Sequence, residues 1–366
     1  MSTSSNAIHY MATANTAGGL TNELASSLQE IDHVVELKGT MHQSISILLQ
    51  LIATQMQSQS TCWFLHHPLQ ADLLDGIVFP ELRTAILYSN PHDSSTAIDW
   101  SEKLLFSYHL DQACDQEKLL THSKKTEQLA QQIISAKNEA YTLLATALRI
   151  HDDWEALYRP YIDFAKTNQV TEDYLHLLFA NATPKTTTPR QVVRLLGTAT
   201  AEGAVDFVPS ITAGLQKYHL KGRAGSGKST ILRKVAAQAN ALGYDSEVYR
   251  CGLDSASIDM VIVRELNFAI FDSTPPHAYV PVAPDITIDL YELCMQPDAD
   301  SQIAEPLEII TTQYKAMIKA ATAKLEEAAT YKRDLEAIYE QSCNYEAFNT
   351  QLHTILTDIH QSISNV

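Results

Sequence analysis

Gly222-Arg-Ala-Gly-Ser-Gly-Lys-Ser229 carries the spacing G-x-x-x-x-G-K-[ST], and its flanks decide how it is read. Tyr218, His219 and Leu220 end an extended run that enters it, and Ile231, Leu232, Val235, Ala236 and Ala239 follow at helical spacing. A strand feeding a glycine turn that opens a helix gathers backbone N–H groups and the positive end of that helix around one point, which suits a phosphate. In this reading Gly222, Gly225 and Gly227 let the backbone turn inward, and Ala224, Ser226 and Thr230 complete the lining. Lys228 then reaches the β- and γ-oxygens and Ser229 ligates Mg2+. Arg223 either touches phosphate or caps the approach to the helix.

The same region occurs twice. At a shift of 183 residues Leu37-Lys38-Gly39 falls on Leu220-Lys221-Gly222 and Ser46 on Ser229. At a shift of 184, Asp75 to Ser89 covers Asp259 to Ser273 with six identities in fifteen positions, where chance gives about one. The chain is therefore read as a duplication.

The pairing separates chemistry from scaffold. Gly225, Gly227 and Lys228 become His42, Ser44 and Ile45 in the first copy, so its phosphate cradle is expected to be lost. Asp272, which ends the apolar run Phe268-Ala-Ile-Phe271, becomes Tyr88; a carboxylate at that strand end is where Mg2+ is held. Asp254 becomes Gln70, and it is read either as the base that orients the attacking group or as a turn carboxylate. Asp259, Glu265 and His277 persist as Asp75, Glu81 and His92 and are assigned to architecture, with a general-base role for His277 as the alternative.

Composition narrows the class. A net charge of −17 excludes a general attraction to nucleic acid or anionic membrane. Five cysteines without a C-x-x-C spacing disfavour a disulfide framework or zinc site, and point to a reduced, cytoplasmic chain. The first ten residues lack a basic region followed by an apolar core, so no secretory leader is expected, and no membrane-spanning run occurs.

The expected fold is α/β: two tandem P-loop NTPase-like cores with mainly parallel sheets, each followed by a helical arm, the first core degenerate. The boundaries are a degenerate core at 1–100, an arm at 101–182, a Thr- and Pro-rich linker at 183–190, an intact core at 191–304 and a C-terminal helical hairpin at 305–366. In the second core, strands are expected at 247–250, 268–272 and 286–293 besides the one that enters the glycine loop. Asn344 marks the break in the hairpin.

Leu-Lys-Gly-Arg-Ala-Gly-Ser-Gly-Lys-Ser-Thr (220–230), Tyr249-Arg-Cys-Gly-Leu-Asp254 and the run on to Ile262, and Ala269-Ile-Phe-Asp-Ser-Thr-Pro-Pro-His277 resemble an uncharacterised bacterial family of tandem P-loop ATPases. The resemblance covers essentially the whole chain and implies ATP and Mg2+; residues 39–46 depart from the working loop that members can carry in each copy. The leading expectation is a Mg-dependent ATPase in which the two copies form an intramolecular pseudo-dimer. The alternatives are a small-molecule or nucleotide kinase, whose lid arginines would be Arg223, Arg250 and Arg264, and a nucleotide-gated protein whose arms report to a partner. ATP is preferred to GTP because no N-K-x-D pattern follows Asp272.

Overall fold

A computed structural model of the chain describes residues 7–56, 60–92 and 99–364; the first six residues, part of the expected leader-free terminus, lie outside it. The first copy runs β1 (Ile8–Tyr10), the hairpin β2 (Thr13–Thr16) and β3 (Gly19–Asn22), α1 (Leu24–Ser27), β4 (His33–Lys38) and α2 (His42–Met56). It continues through β5 (Trp63–His66), β6 (Leu74–Phe79), β7 (Thr84–Ser89) and β8 (Leu104–His109). An arm follows: α3 (Gln116–Thr121), α4 (Ser123–Tyr158) and α5 (Phe164–Leu178).

The second copy repeats the plan with β9 (Gln191–Leu195), the hairpin β10 (Gly197–Thr200) and β11 (Gly203–Asp206), α6 (Val208–Ile211), β12 (Gln216–Lys221) and α7 (Lys228–Ala241). Next come β13 (Ser246–Arg250), β14 (Ile258–Val263), β15 (Phe268–Asp272) and β16 (Ile286–Asp289). α8 (Leu290–Cys294), α9 (Ala299–Gln302), α10 (Ala304–Ser342) and α11 (Tyr345–Ser364) complete it.

Each copy builds a six-stranded sheet, in the order β1-β5-β6-β7-β4-β8 and β9-β13-β14-β15-β12-β16. β6 and β14 run against the other five strands of their sheets. The duplication reaches the register: Ile8 pairs with Trp63 as Val192 pairs with Glu247, and the irregularity at Leu65/His66 recurs at Tyr249/Arg250. Arg83 and Asn267, both left-handed, close the same tight connection in each copy.

Strand residues alternate between faces, and here both faces are apolar. Val35, Leu37, Ile77, Phe79 and Ile86 face α2 in the first copy, and Val261, Val263, Phe268 and Ile270 face α7 in the second. Val34, Val78, Leu87, Met260, Ile262, Ala269 and Phe271 point the other way and meet in one core between the sheets. The layers are thus helix, sheet, sheet, helix. Burying each such side chain contributes about 1.5–3 kcal/mol, which holds the copies face to face.

Two boundaries differ from the sequence reading. The first core extends past residue 100, because β8 pairs with β4 at the sheet edge. The strand expected at 286–293 stops at Asp289, whose carboxylate accepts from the Tyr291 and Glu292 amides and starts α8. Segment 183–190 has no helix or strand, yet it is tied down by the Lys185 amide on the Leu242 carbonyl and by the Lys185–Glu265 ion pair.

The arms are exchanged. α4 and α10 lie antiparallel, with Glu139 paired to Lys324 and His151 and Trp154 against Tyr314. Ala321, Leu325, Ala328, Lys332 and Leu335 alternate at four- and three-residue spacing along the α10 seam, and Ala136, Ala140 and Ala147 face it from α4. Alanines let the two axes approach closely. Beyond α4, α5 packs Val170, Tyr174, Leu175 and Leu178 onto the second core. Beyond α10, Asn344 caps α11 with its side chain, and Phe348, Ile355 and Ile359 pack onto the first core. Among the described residues no helix is long and apolar enough to cross a membrane.

Candidate functional site

β12 ends at Lys221 beside β15, where Leu220 pairs with Asp272, and the glycine loop 222–227 joins it to α7. Gly225 and Gly227 take φ of 73° and 96°, a left-handed conformation that side chains resist. Both also lie under the exchanged arm: a Cβ on Gly225 would sit 3.1 Å from the Glu155 backbone oxygen, and one on Gly227 would sit 3.3 Å from Thr167 Cγ2. Glycine is therefore demanded twice, by conformation and by contact.

Lys228, at the first turn of α7, is mostly buried. Its Nζ donates to the carbonyls of Gly222 and Arg223 at 3.1 Å each and lies 3.6 Å from Asp272 Oδ2. The other Asp272 oxygen accepts from the Thr274 amide at 3.0 Å and hydroxyl at 2.6 Å. Ser229 Oγ lies 2.9 Å from Ser257 Oγ and accepts from the Ile258 amide at 3.2 Å. The first copy keeps that last bond, with the Leu74 amide donating to Ser46 Oγ at 3.0 Å, so the hydroxyl also has a structural task. Ser226 Oγ is buried with no hydrogen-bond partner among the described residues. Ala224 packs beside Trp154, Leu157 and Tyr158 of α4, and Thr230 lies in the first turn of α7.

Among the described residues Asp254 makes no hydrogen bond or ion pair to Lys228, Ser229 or Asp272. Its carboxylate accepts from the Ala256 amide at 3.0 Å and its carbonyl from the Ser257 amide, closing the turn that delivers Ser257 to Ser229. Asp259, assigned to architecture from sequence, is the acid that interacts electrostatically with Asp272 and Lys228. Burial first, and then the charge of Asp272, push its carboxyl up to about 6, against the hydrogen bond from the Cys251 thiol. His277 loses basicity by burial, but its 2.7 Å hydrogen bond to Asp206 and the charges of Asp206, Asp259 and Asp272 more than restore it. Burial likewise disfavours ionised Asp206, and donors from His277 and Tyr279 reverse the balance.

Lys228, Asp272, Asp259, His277 and Asp206 thus form one cluster, three carboxylates with an ammonium and an imidazole, drawn from α7, β15, β14, β11 and the loop after β15. The sequence reading missed Asp206, Glu155 and Thr167. Asp206 carried no signal beyond its place in a repeat, and the arm residues belong to the other copy.

The arginines near the loop are all engaged. Arg223 pairs with Asp300 and lies over the Tyr291 ring, Arg250 pairs with Glu23, and Arg264 pairs with Glu247. Tyr158 donates to Asp300 at 2.8 Å, so the end of α4 braces Arg223 as well.

In the first copy His42 replaces Gly225. Its ring stacks on Tyr88, the counterpart of Asp272, at 3.9 Å and 12°. His42 is fully buried. Comparison with protein-family models, with curated proteins and with solved structures finds no match for this chain.

Proposed function

We propose that the chain is a Mg-dependent ATP-binding P-loop NTPase that hydrolyses ATP at a single site in its second copy. The observation that carries this reading is the Lys228 ammonium, held at the loop by two main-chain carbonyls next to the carboxylate of Asp272. Incoming phosphate oxygens would replace those carbonyls, so the cation is poised without a large rearrangement. In this reading residues 222–230 cradle the phosphates, Lys228 neutralises the β- and γ-oxygens, and Ser229 and Asp272 hold Mg2+. Asp259 orients or deprotonates the attacking water; this replaces the role considered for Asp254, whose carboxylate closes a turn.

A second reading is favoured by one observation. Glu155 and Thr167 of the exchanged arm rest on Gly225 and Gly227, so loop movement on nucleotide binding would be felt along α4 and α10. A nucleotide-gated interaction protein with slow turnover would use that link to address a protein partner. The kinase alternative has less support, since Arg223, Arg250 and Arg264 are each held in ion pairs.

Calorimetric titration of ATP with Mg2+ tests the proposal, with Lys228→Ala as the control. One site per chain is expected, weakened about a hundredfold or more in the variant. Equal ATP uptake by both proteins would overturn it.

A further inference from the structure

In the first copy, three side chains occupy positions of the second-copy site. His42 stands at the position of Gly225, His67 at that of Cys251 and Asp75 at that of Asp259. One ligand atom from each lies within 4.8 Å of the other two. His42 is 0% exposed, and its Nε2 lies 2.9 Å from the Leu74 carbonyl and 3.3 Å from Asp75 Oδ1. A carbonyl only accepts, so Nε2 carries the proton and Nδ1 presents a bare lone pair. That Nδ1 is buried with no hydrogen-bond partner among the described residues.

A carbonyl that fixes one ring nitrogen while the other is left as a naked donor is how ligating imidazoles are commonly oriented. We propose that His42, His67 and Asp75 form a binding site for a divalent first-row transition ion, of the Zn2+ class, in place of the lost phosphate loop.

Two imidazoles and one carboxylate match that class, and a site with three protein ligands keeps positions for water. His67 and Asp75 line a cavity of about 90 Å³ that would supply it. Lys332, which faces them from α10, has its charge met by Glu336 at 2.5 Å.

His67 Nδ1 accepts from the Leu69 and Gln70 amides at 3.2 Å each. Loading must therefore turn that ring or shift its proton, and a metal–imidazole bond outweighs two long amide bonds. The site needs neither ATP nor Lys228 and stands apart from the nucleotide reading.

The test uses the full chain, stripped with a chelator and titrated with Co2+, which reports coordination through its visible ligand-field absorption. One Co2+ per chain, displaced by Zn2+, is expected. Asp75→Asn and His67→Gln should each weaken binding about tenfold or more, His42→Ala should abolish the absorption, and Lys228→Ala should leave it unchanged. Circular dichroism checks that each variant folds, and Asp75→Asn, at a partly exposed position, keeps the test decisive if His42→Ala does not. Absence of the absorption at saturating Co2+ would overturn the proposal. So would wild-type affinity in both Asp75→Asn and His67→Gln; the three side chains would then be a plug in the vacated pocket.

Discussion

Acid should weaken the seam between the two copies through His66, by an amount that follows from its surroundings. His66 lies at the end of β5, stacked on Phe207 of the second copy at 4.1 Å. Its Nδ1 donates to the Ala71 carbonyl and its Nε2 accepts from His9 Nδ1 at 2.8 Å, so both ring nitrogens are used by the neutral form. Burial pushes its pKa down to about 4, with His9 opposing charge as well. The unfolded chain therefore binds the proton first. Stability is intact above the unfolded value of about 6.5 and is lost as pH falls toward about 4; the full loss is about 3 kcal/mol and roughly 2 kcal/mol is gone by about pH 5.

Urea unfolding, followed by circular dichroism at about pH 7.5 and about pH 5, measures this. His66→Asn keeps a donor for Ala71 but does not titrate. The variant should start less stable at neutral pH and lose roughly 2 kcal/mol less than wild type between the two conditions. If both proteins lose the same amount, His66 does not govern the acid response, and the account of its burial is wrong.

Other consequences are equally direct. Asp259 acts as a base only when ionised, so ATP turnover should rise with pH through about 6; Asp259→Asn should remove that limb of the profile and lower the plateau about a hundredfold or more. Ala140→Leu, at a fully buried position in the α4–α10 seam, should cost about 1–3 kcal/mol by thermal unfolding, because the larger side chain drives the helices apart. Gly227→Ala should impair ATP uptake even where the fold survives, since the new methyl meets Thr167 in a left-handed backbone; unchanged uptake would show that the arm does not press on the loop.

How much of this was readable from the residues differs by level. The strand–loop–helix at 216–241 was legible, because period, glycines and flanks all agree on it. The duplication was legible too, and the structure carries it into strand order and bulges. The antiparallel strands β6 and β14 were not, since the runs Leu74–Phe79 and Ile258–Val263 are apolar on both faces and give no sign of direction. Arm exchange was hidden for a related reason: Val170, Tyr174 and Leu178 ask only for an apolar surface, and two similar cores offer equivalent ones. Asp259 was assigned to architecture because its twin Asp75 survives beside a lost phosphate loop; its interaction with Asp272 and Lys228 shows only once the strands are in place. The structure gives both carboxylates polar neighbourhoods of their own.

The crossing of the arms sets an order of assembly. The first sheet leaves the ribosome early, but α11, whose Phe348, Ile355 and Ile359 complete its core, is among the last segments made, on the order of half a minute of synthesis later. Until then Leu110, Ala113 and their neighbours in the first core lack that cover. The nascent first half therefore carries an unfinished core for as long as the remainder of the polypeptide takes to emerge.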